Sequence, residues 1–228
     1  MRPVLSASLM CADWLRLAPT LQALETVCGA LHVDIMDGHF CKSLYLSPWA
    51  METVRRATKL PMEAHLMVER PEDWVDAAAE AGAACILLHA ETVERQAFRL
   101  IERIHAHGCR AGVALCPATP LSAAEAYLGR LEQVTVMTVD PGFAGQPFLP
   151  EGLEKLRALR AWREKHGARF LLQADGGVNR TTYRALFDAG AENFVLGSGG
   201  LFGLDADVGR ACKRMCAQLD AALSEVEI

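Results

Sequence analysis

A closed (β/α)8 barrel, one α/β domain spanning residues 1–228, is the fold this sequence predicts. Three observations lead there. Eight short, β-rich apolar runs recur along the chain, and segments of helical periodicity separate them. Three small-residue steps, Cys28–Ala30, Ala81–Ala83 and Ala189–Ala191, each lead from a helical stretch into an apolar run, marking a repeated unit. A doubly wound open sheet is the competitor. The count of eight favours the ring, as does the spread of reactive residues over runs 2, 3 and 7, which closure would bring together.

The expected strands are Val4–Ser8, Leu31–Ile35, Met62–Leu66, Cys85–His89, Ala111–Leu115, Gln133–Thr138, Phe170–Ala174 and Asn193–Leu196. Several are apolar at almost every position, as in a parallel sheet covered on both faces. Among the helices, Ala97, Leu100, Ile101 and Ile104 form one stripe that Gly108 ends. Leu153, Leu156 and Leu159 precede Trp162, and Gly167 stops that segment. Pro71 followed by Glu72 and Asp73 is a helix-start signal, with acids at the positive end of the dipole. No Ser/Gly-rich linker divides the chain.

Bulk properties narrow the function. An apolar share of 51% and a charged share of 22% suit a globular core. A net charge of −5 without a basic block argues against a nucleic-acid partner. No run approaches the roughly 20 apolar residues of a membrane span, and the first residues lack the apolar core of a signal peptide. The expectation is a cytoplasmic protein without membrane contact. A small barrel with exposed helix faces could pair into a homodimer. The eight cysteines read as structural; Cys212 and Cys216, one helical turn apart, read as a core-facing stripe.

Chemistry concentrates at strand ends. His32 and Asp34 lie two residues apart in a strand and so share a face. His65 and Asp175 also close apolar runs. In a barrel all four surround one mouth. Alone, each His is an ordinary half-buried residue and each Asp a helix cap. Together they suit one divalent ion of the Zn, Fe, Mn or Co type better than Ca or Mg. Glycine loops follow strands 6, 7 and 8: Pro141–Gln146, Gly176-Gly177 and Gly197–Gly200. Backbone amides there, with the Ser198 hydroxyl, suit a phosphate without Lys or Arg. Met36, Met67 and Met137 lie near strand ends as an apolar pocket wall. A metal, two carboxylates and an anion pocket suggest proton abstraction beside a carbonyl, one Asp removing the proton and the other returning one to the opposite face.

His32–His39 (HVDIMDGH), His65–Met67, Val136–Gly145 (VMTVDPGFAG) and Asp175–Gly177 resemble the pentulose-phosphate 3-epimerase group of phosphate-binding barrels, over Ser8 to about Phe202. The resemblance implies His32, Asp34, His65 and Asp175 as metal ligands, with Asp34 and Asp175 as the acid/base pair. It implies substrate contacts from Ser8, His65, Gly142, Phe143, Ala144, Gly145, Gly176, Gly177, Gly197, Ser198 and Gly199. Finer features look closer to the D-allulose-6-phosphate 3-epimerase branch: Ser8–Cys11, Leu46–Pro48, Gln96–Ile101, Asp140–Phe148, Ala161–Glu164 and Ser198–Phe202. That branch implies inversion at C3 of D-allulose 6-phosphate to D-fructose 6-phosphate. Ribulose-5-phosphate 3-epimerase is the alternative with the same mechanism, and a non-catalytic phosphosugar-binding barrel the distant one. Barrels that decarboxylate or condense sugar phosphates use Asp-x-Lys-x-x-Asp, whereas Met36 stands here at the Lys position. Two departures from the family pattern lie near the mouth: Cys41-Lys42-Ser43 replaces Val-Pro-Asn, and Cys116 replaces the Asn before Pro117.

Overall fold

The structure, a computed structural model, describes residues 2–224. Eight parallel strands close into a ring in chain order: β1 (Val4–Ser8), β2 (Ala30–Met36), β3 (Met62–Met67), β4 (Ala83–His89), β5 (Arg110–Leu115), β6 (Gln133–Met137), β7 (Leu171–Asp175) and β8 (Asn193–Leu196). Val4 of β1 pairs with Asn193 of β8 and completes the closure. The fold is the expected (β/α)8 barrel. Strand ends shift by a residue or two: β7 runs on to include Asp175, and β6 stops at Met137, which is paired opposite it.

Around the ring lie α1 (Leu17–Leu24), α2 (Pro48–Arg55), α3 (Val75–Glu80), α4 (Ala90–Val93), α5 (Ala97–Ala106), α6 (Glu151–His166), α7 (Tyr183–Ala189) and α8 (Val208–Ser224). The stripe on α5 buries Ala97, Leu100, Ile101 and Ile104, as its periodicity requires. Helix α6 buries Leu156 and Leu159 and ends at Gly167. Pro71-Glu72-Asp73 forms a 3-10 turn that leads into α3. None of the helices among the described residues is long and apolar enough to cross a membrane.

One repeat departs from the expected pattern. Between β5 and β6 there is no α-helix, only the 3-10 turns Leu121–Ala123 and Leu128–Arg130. Pro117 and Pro120 lack the N–H a helix needs and push the preceding residue out of helical conformation. Buried Ala124, Tyr127, Leu128 and Leu131 belong to the core there in place of a helix stripe.

Strand alternation sorts the side chains. Leu31, Val33 and Ile35 of β2 join the main core under the helices, while His32 and Asp34 are buried among the polar side chains of neighbouring strands. Register then sets the neighbours. Ser8 pairs with His32, His32 with Glu63, and Asp34 with His65. A polar layer of Ser6, Glu63, Gln133, Gln173 and Asn193 is buried within the ring. Gln173 Nε2 donates to Glu63 Oε2 at 2.8 Å, Asn193 Nδ2 to Glu63 Oε1 at 3.3 Å, and Ser6 Oγ to Asn193 Oδ1 at 3.1 Å. Without these donors, a carboxylate at this depth would carry a desolvation penalty of several kcal/mol.

Candidate active site

Because all strands run the same way, their C-terminal ends meet at one mouth, where the four sequence-predicted donors converge. His32 Nε2 lies 3.1 Å from His65 Nδ1 and 3.4 Å from both Asp34 Oδ1 and Asp175 Oδ2. His65 Nδ1 lies 3.2 Å from Asp34 Oδ1 and 3.6 Å from Asp175 Oδ2. An ion with ligands at about 2.0–2.1 Å in a tetrahedron requires donors roughly 3.3 Å apart. The measured separations match that requirement, and two ring nitrogens face each other across the same point. The donor set fits a divalent ion.

Electrostatics points the same way. Burial opposes charge on His32, but Asp34, Asp175 and Glu63 outweigh it and hold His32 well above the ordinary imidazole value. Burial likewise opposes charge on Asp34, yet His32 and His65 hold its carboxyl well below the usual range. Carboxylates packed around two imidazoles concentrate negative charge at their centre, which a proton on the imidazole or a divalent cation in its place offsets. Ser8 Oγ donates to Asp34 Oδ2 at 2.7 Å, so Asp34 turns Oδ1 to the imidazoles and Oδ2 to Ser8.

Beneath this quartet is a layer that sequence reasoning missed. Glu63 Oε2 lies 3.2 Å from His32 Nδ1, the nitrogen facing away from the cluster. Burial alone would raise the Glu63 pKa, but hydrogen bonds with His32, Gln173 and Gln133 bring it below its ordinary value. A carboxylate behind a metal-ligating imidazole fixes its tautomer and orientation. The available signal was Glu63 two residues before His65 in an otherwise apolar run. Similarly, His65 Nε2 lies 2.9 Å from His89 Nε2, and His89 Nδ1 lies 3.0 Å from Glu91 Oε2. Burial pushes His89 down to about 4; burial opposes charge on Glu91, but hydrogen bonds including that from His89 pull it down to about 2.

Above the quartet opens a cavity of about 200 Å³ lined by Asp34 and Asp175. Of the expected contacts, Ser8, Gly142, Phe143, Ala144, Gly145, Gly176, Gly177, Gly197, Ser198 and Gly199 all line it, as do Met67 and Met137. Met36 differs: it is buried in a small cluster with Cys41 and Met67 and is not part of the lining. His65 is buried below the surface, with both ring nitrogens already engaged. Met10, Cys11, Asp140 and Asn179 also line the cavity and were not anticipated as site residues. Gln146 Nε2 bonds the Asp140 and Phe143 carbonyls and pins the loop after β6. Gly142 has φ +107°, and a Cβ there would lie 2.7 Å from Cys41 Cβ, so this turn admits only glycine.

Comparison with known proteins places the chain in a family. The model of the Ribulose-phosphate 3 epimerase family matches residues 4–202. The ribulose-phosphate 3-epimerase of Mycobacterium bovis is 38% identical over 205 residues, covering 89% of this chain and 87% of that protein. That of Bacillus subtilis is 37% identical over 193 residues, covering 84% and 88%. Ribulose-phosphate 3-epimerase 2 of Cupriavidus necator is 39% identical over 210 residues, covering 90% and 87%. Among solved structures, a mutant tryptophan synthase alpha-subunit from Pyrococcus furiosus superposes with a TM-score of 0.66 at 18% identity, covering 98% of this chain and 99% of that one. This likeness concerns the fold alone. With the family model spanning every strand of the barrel and relatives this similar over most of their length, the chain belongs to the ribulose-phosphate 3-epimerase family, which makes it an isomerase.

Proposed function

We propose that the protein inverts C3 of a ketose phosphate, with D-ribulose 5-phosphate as the pentulose substrate, using Asp34 and Asp175 as the acid/base pair. The observation that carries this reading is the donor quartet, two of whose members are carboxylates that also line the cavity beside the glycine loops. His32, Asp34, His65 and Asp175 would hold one divalent ion of the Zn, Fe, Mn or Co class. When bound, such an ion supplies Lewis-acid polarisation of the ketose carbonyl and so acidifies the neighbouring C–H. Each aspartate presents one oxygen to the imidazoles and has a second for proton transfer. Ser8 donates to that second oxygen of Asp34 and holds it in place. One carboxylate removes the C3 proton; the other, on the far strand, delivers a proton to the opposite face. Met67 and Met137 give the reacting carbon an apolar surround, and the amides of the loops after β6, β7 and β8 receive the phosphate.

Relatives named for ribulose phosphate support the pentulose. A hexulose reading, D-allulose 6-phosphate to D-fructose 6-phosphate, draws on the finer motifs, Ser198–Phe202 and Asp140–Phe148 among them. One hydroxymethyl group is a weak discriminator, so both sugars bind in a pocket of this kind. The test is kcat/KM for the two substrates side by side on metal-reconstituted protein. A higher value for D-ribulose 5-phosphate is expected, and a clear preference for the hexulose phosphate would replace that substrate. Failure to exchange the C3 proton of either sugar with solvent deuterium would remove the epimerase reading and leave a phosphosugar-binding barrel.

A further inference from the structure

His32 and His65 are supported differently. The outer nitrogen of His32 meets a carboxylate directly, whereas that of His65 meets another imidazole, His89, at 2.9 Å. Two ring nitrogens this close share one proton. His65 Nδ1 points at the donor cluster, so as a ligand it presents a lone pair there and carries its proton on Nε2. That N–H donates to His89 Nε2, which must then be unprotonated. His89 consequently carries its proton on Nδ1 and donates it to Glu91 Oε2, 3.0 Å away. Glu91 Oε1 in turn accepts the Cys116 backbone N–H at 2.9 Å. Phe40 packs over the His89 ring, with centroids 4.4 Å apart. Each choice forces the next, and the chain of constraint ends on an anchored carboxylate.

We propose that His89 and Glu91 are positioning residues that hold His65 in its Nε2–H tautomer and so keep Nδ1 available to the ion. This rests on the reading of the quartet as a metal site. A rival use of the same residues is visible. Cys116 Sγ lies 3.5 Å from His89 Nδ1, and with Glu91 the three form a second group able to hold a cation. A cation on His89 Nδ1 would move the ring proton to Nε2, make His65 Nε2 the acceptor and place a proton on His65 Nδ1. One N···N contact therefore sets the two arrangements against each other.

The experiment uses Zn²⁺ as a diamagnetic probe on the whole protein. Chelator competition gives affinity and stoichiometry, and ¹⁵N spectra of the histidine rings give tautomers. Glu91→Ala is expected to weaken Zn²⁺ binding about 10–100-fold. Glu91→Gln, whose carbonyl can still accept from Nδ1–H, should recover most of that loss. Cys116→Ser should bind one equivalent as the parent does. Unchanged affinity in a folded Glu91→Ala overturns the proposal, as does a second equivalent that Cys116→Ser abolishes. Should Glu91→Ala not fold, the parent spectrum decides: an Nδ1–H tautomer at His89 supports the proposal and an Nε2–H tautomer overturns it. A parent protein that binds no Zn²⁺, Mn²⁺, Fe²⁺ or Co²⁺ refutes the metal reading itself.

Discussion

On the β2–β4 side of the mouth, the candidate site is built from side chains rooted in strands: His32, Asp34, Glu63, His65 and His89 are all buried and joined by hydrogen bonds. On the β6–β8 side, apart from the Asp175 side chain at the end of β7, it is built from backbone. Gly142, Gly145, Gly176 and Gly177 all have positive φ, and Phe143 in the same lining is 54% exposed. The contrast follows from what each half must hold. An ion and a transferable proton need groups fixed to within tenths of an ångström, which strands and stacked hydrogen bonds provide. An anion is bound by several amides at once, and glycine lets them converge without a side chain in the way. Each half should therefore fail differently when altered.

The largest effect is expected from the carboxylates that belong to both the quartet and the cavity. Asp34→Asn and Asp175→Asn should each lower kcat about 10²–10⁴-fold with the circular dichroism spectrum preserved. Turnover near the parent level in either variant would break the two-carboxylate assignment. Next comes the layer below: Glu63→Ala removes the acceptor behind His32 Nδ1 and should weaken metal affinity about 10–100-fold by chelator competition. Parent-like affinity would mean that the buried amides hold His32 unaided. The smallest effect is expected on the glycine side. Gly176 has φ +109°, and a Cβ there would lie 2.5 Å from Val139 Cγ2 and 2.9 Å from its backbone nitrogen. Gly176→Ala should distort the loop and raise KM about tenfold, with a smaller change in metal affinity. Equal losses in both quantities would show that the two halves are not separable.

Much of this was legible in advance. The strands, the α5 and α6 stripes and the four donors all follow from periodicity. A residue and its neighbour two positions on share a strand face whatever the rest of the chain does, so His32 and Asp34 belong together on local grounds. The missing helix after β5 was harder to see, because Ser122–Leu128 is rich in helix formers and only the flanking prolines warn against it. Met36 also escaped, since a strand end can point either into the cavity or behind its wall. The preference for a hexulose phosphate rested on short motifs, and the curated relatives support the pentulose instead.

What the sequence determined by itself is therefore the repeating unit, the count of eight strands and the candidate site residues at their ends, because each depends on the order of residues within about ten positions. Tertiary structure alone decided which groups support them. Glu63 lies behind His32 because β2 and β3 pair in one register, and His89 meets His65 because the ring closes with β4 beside β3. Register and closure depend on hydrogen bonds between segments tens of residues apart, and a one-residue slip would turn every one of these side chains to the other face.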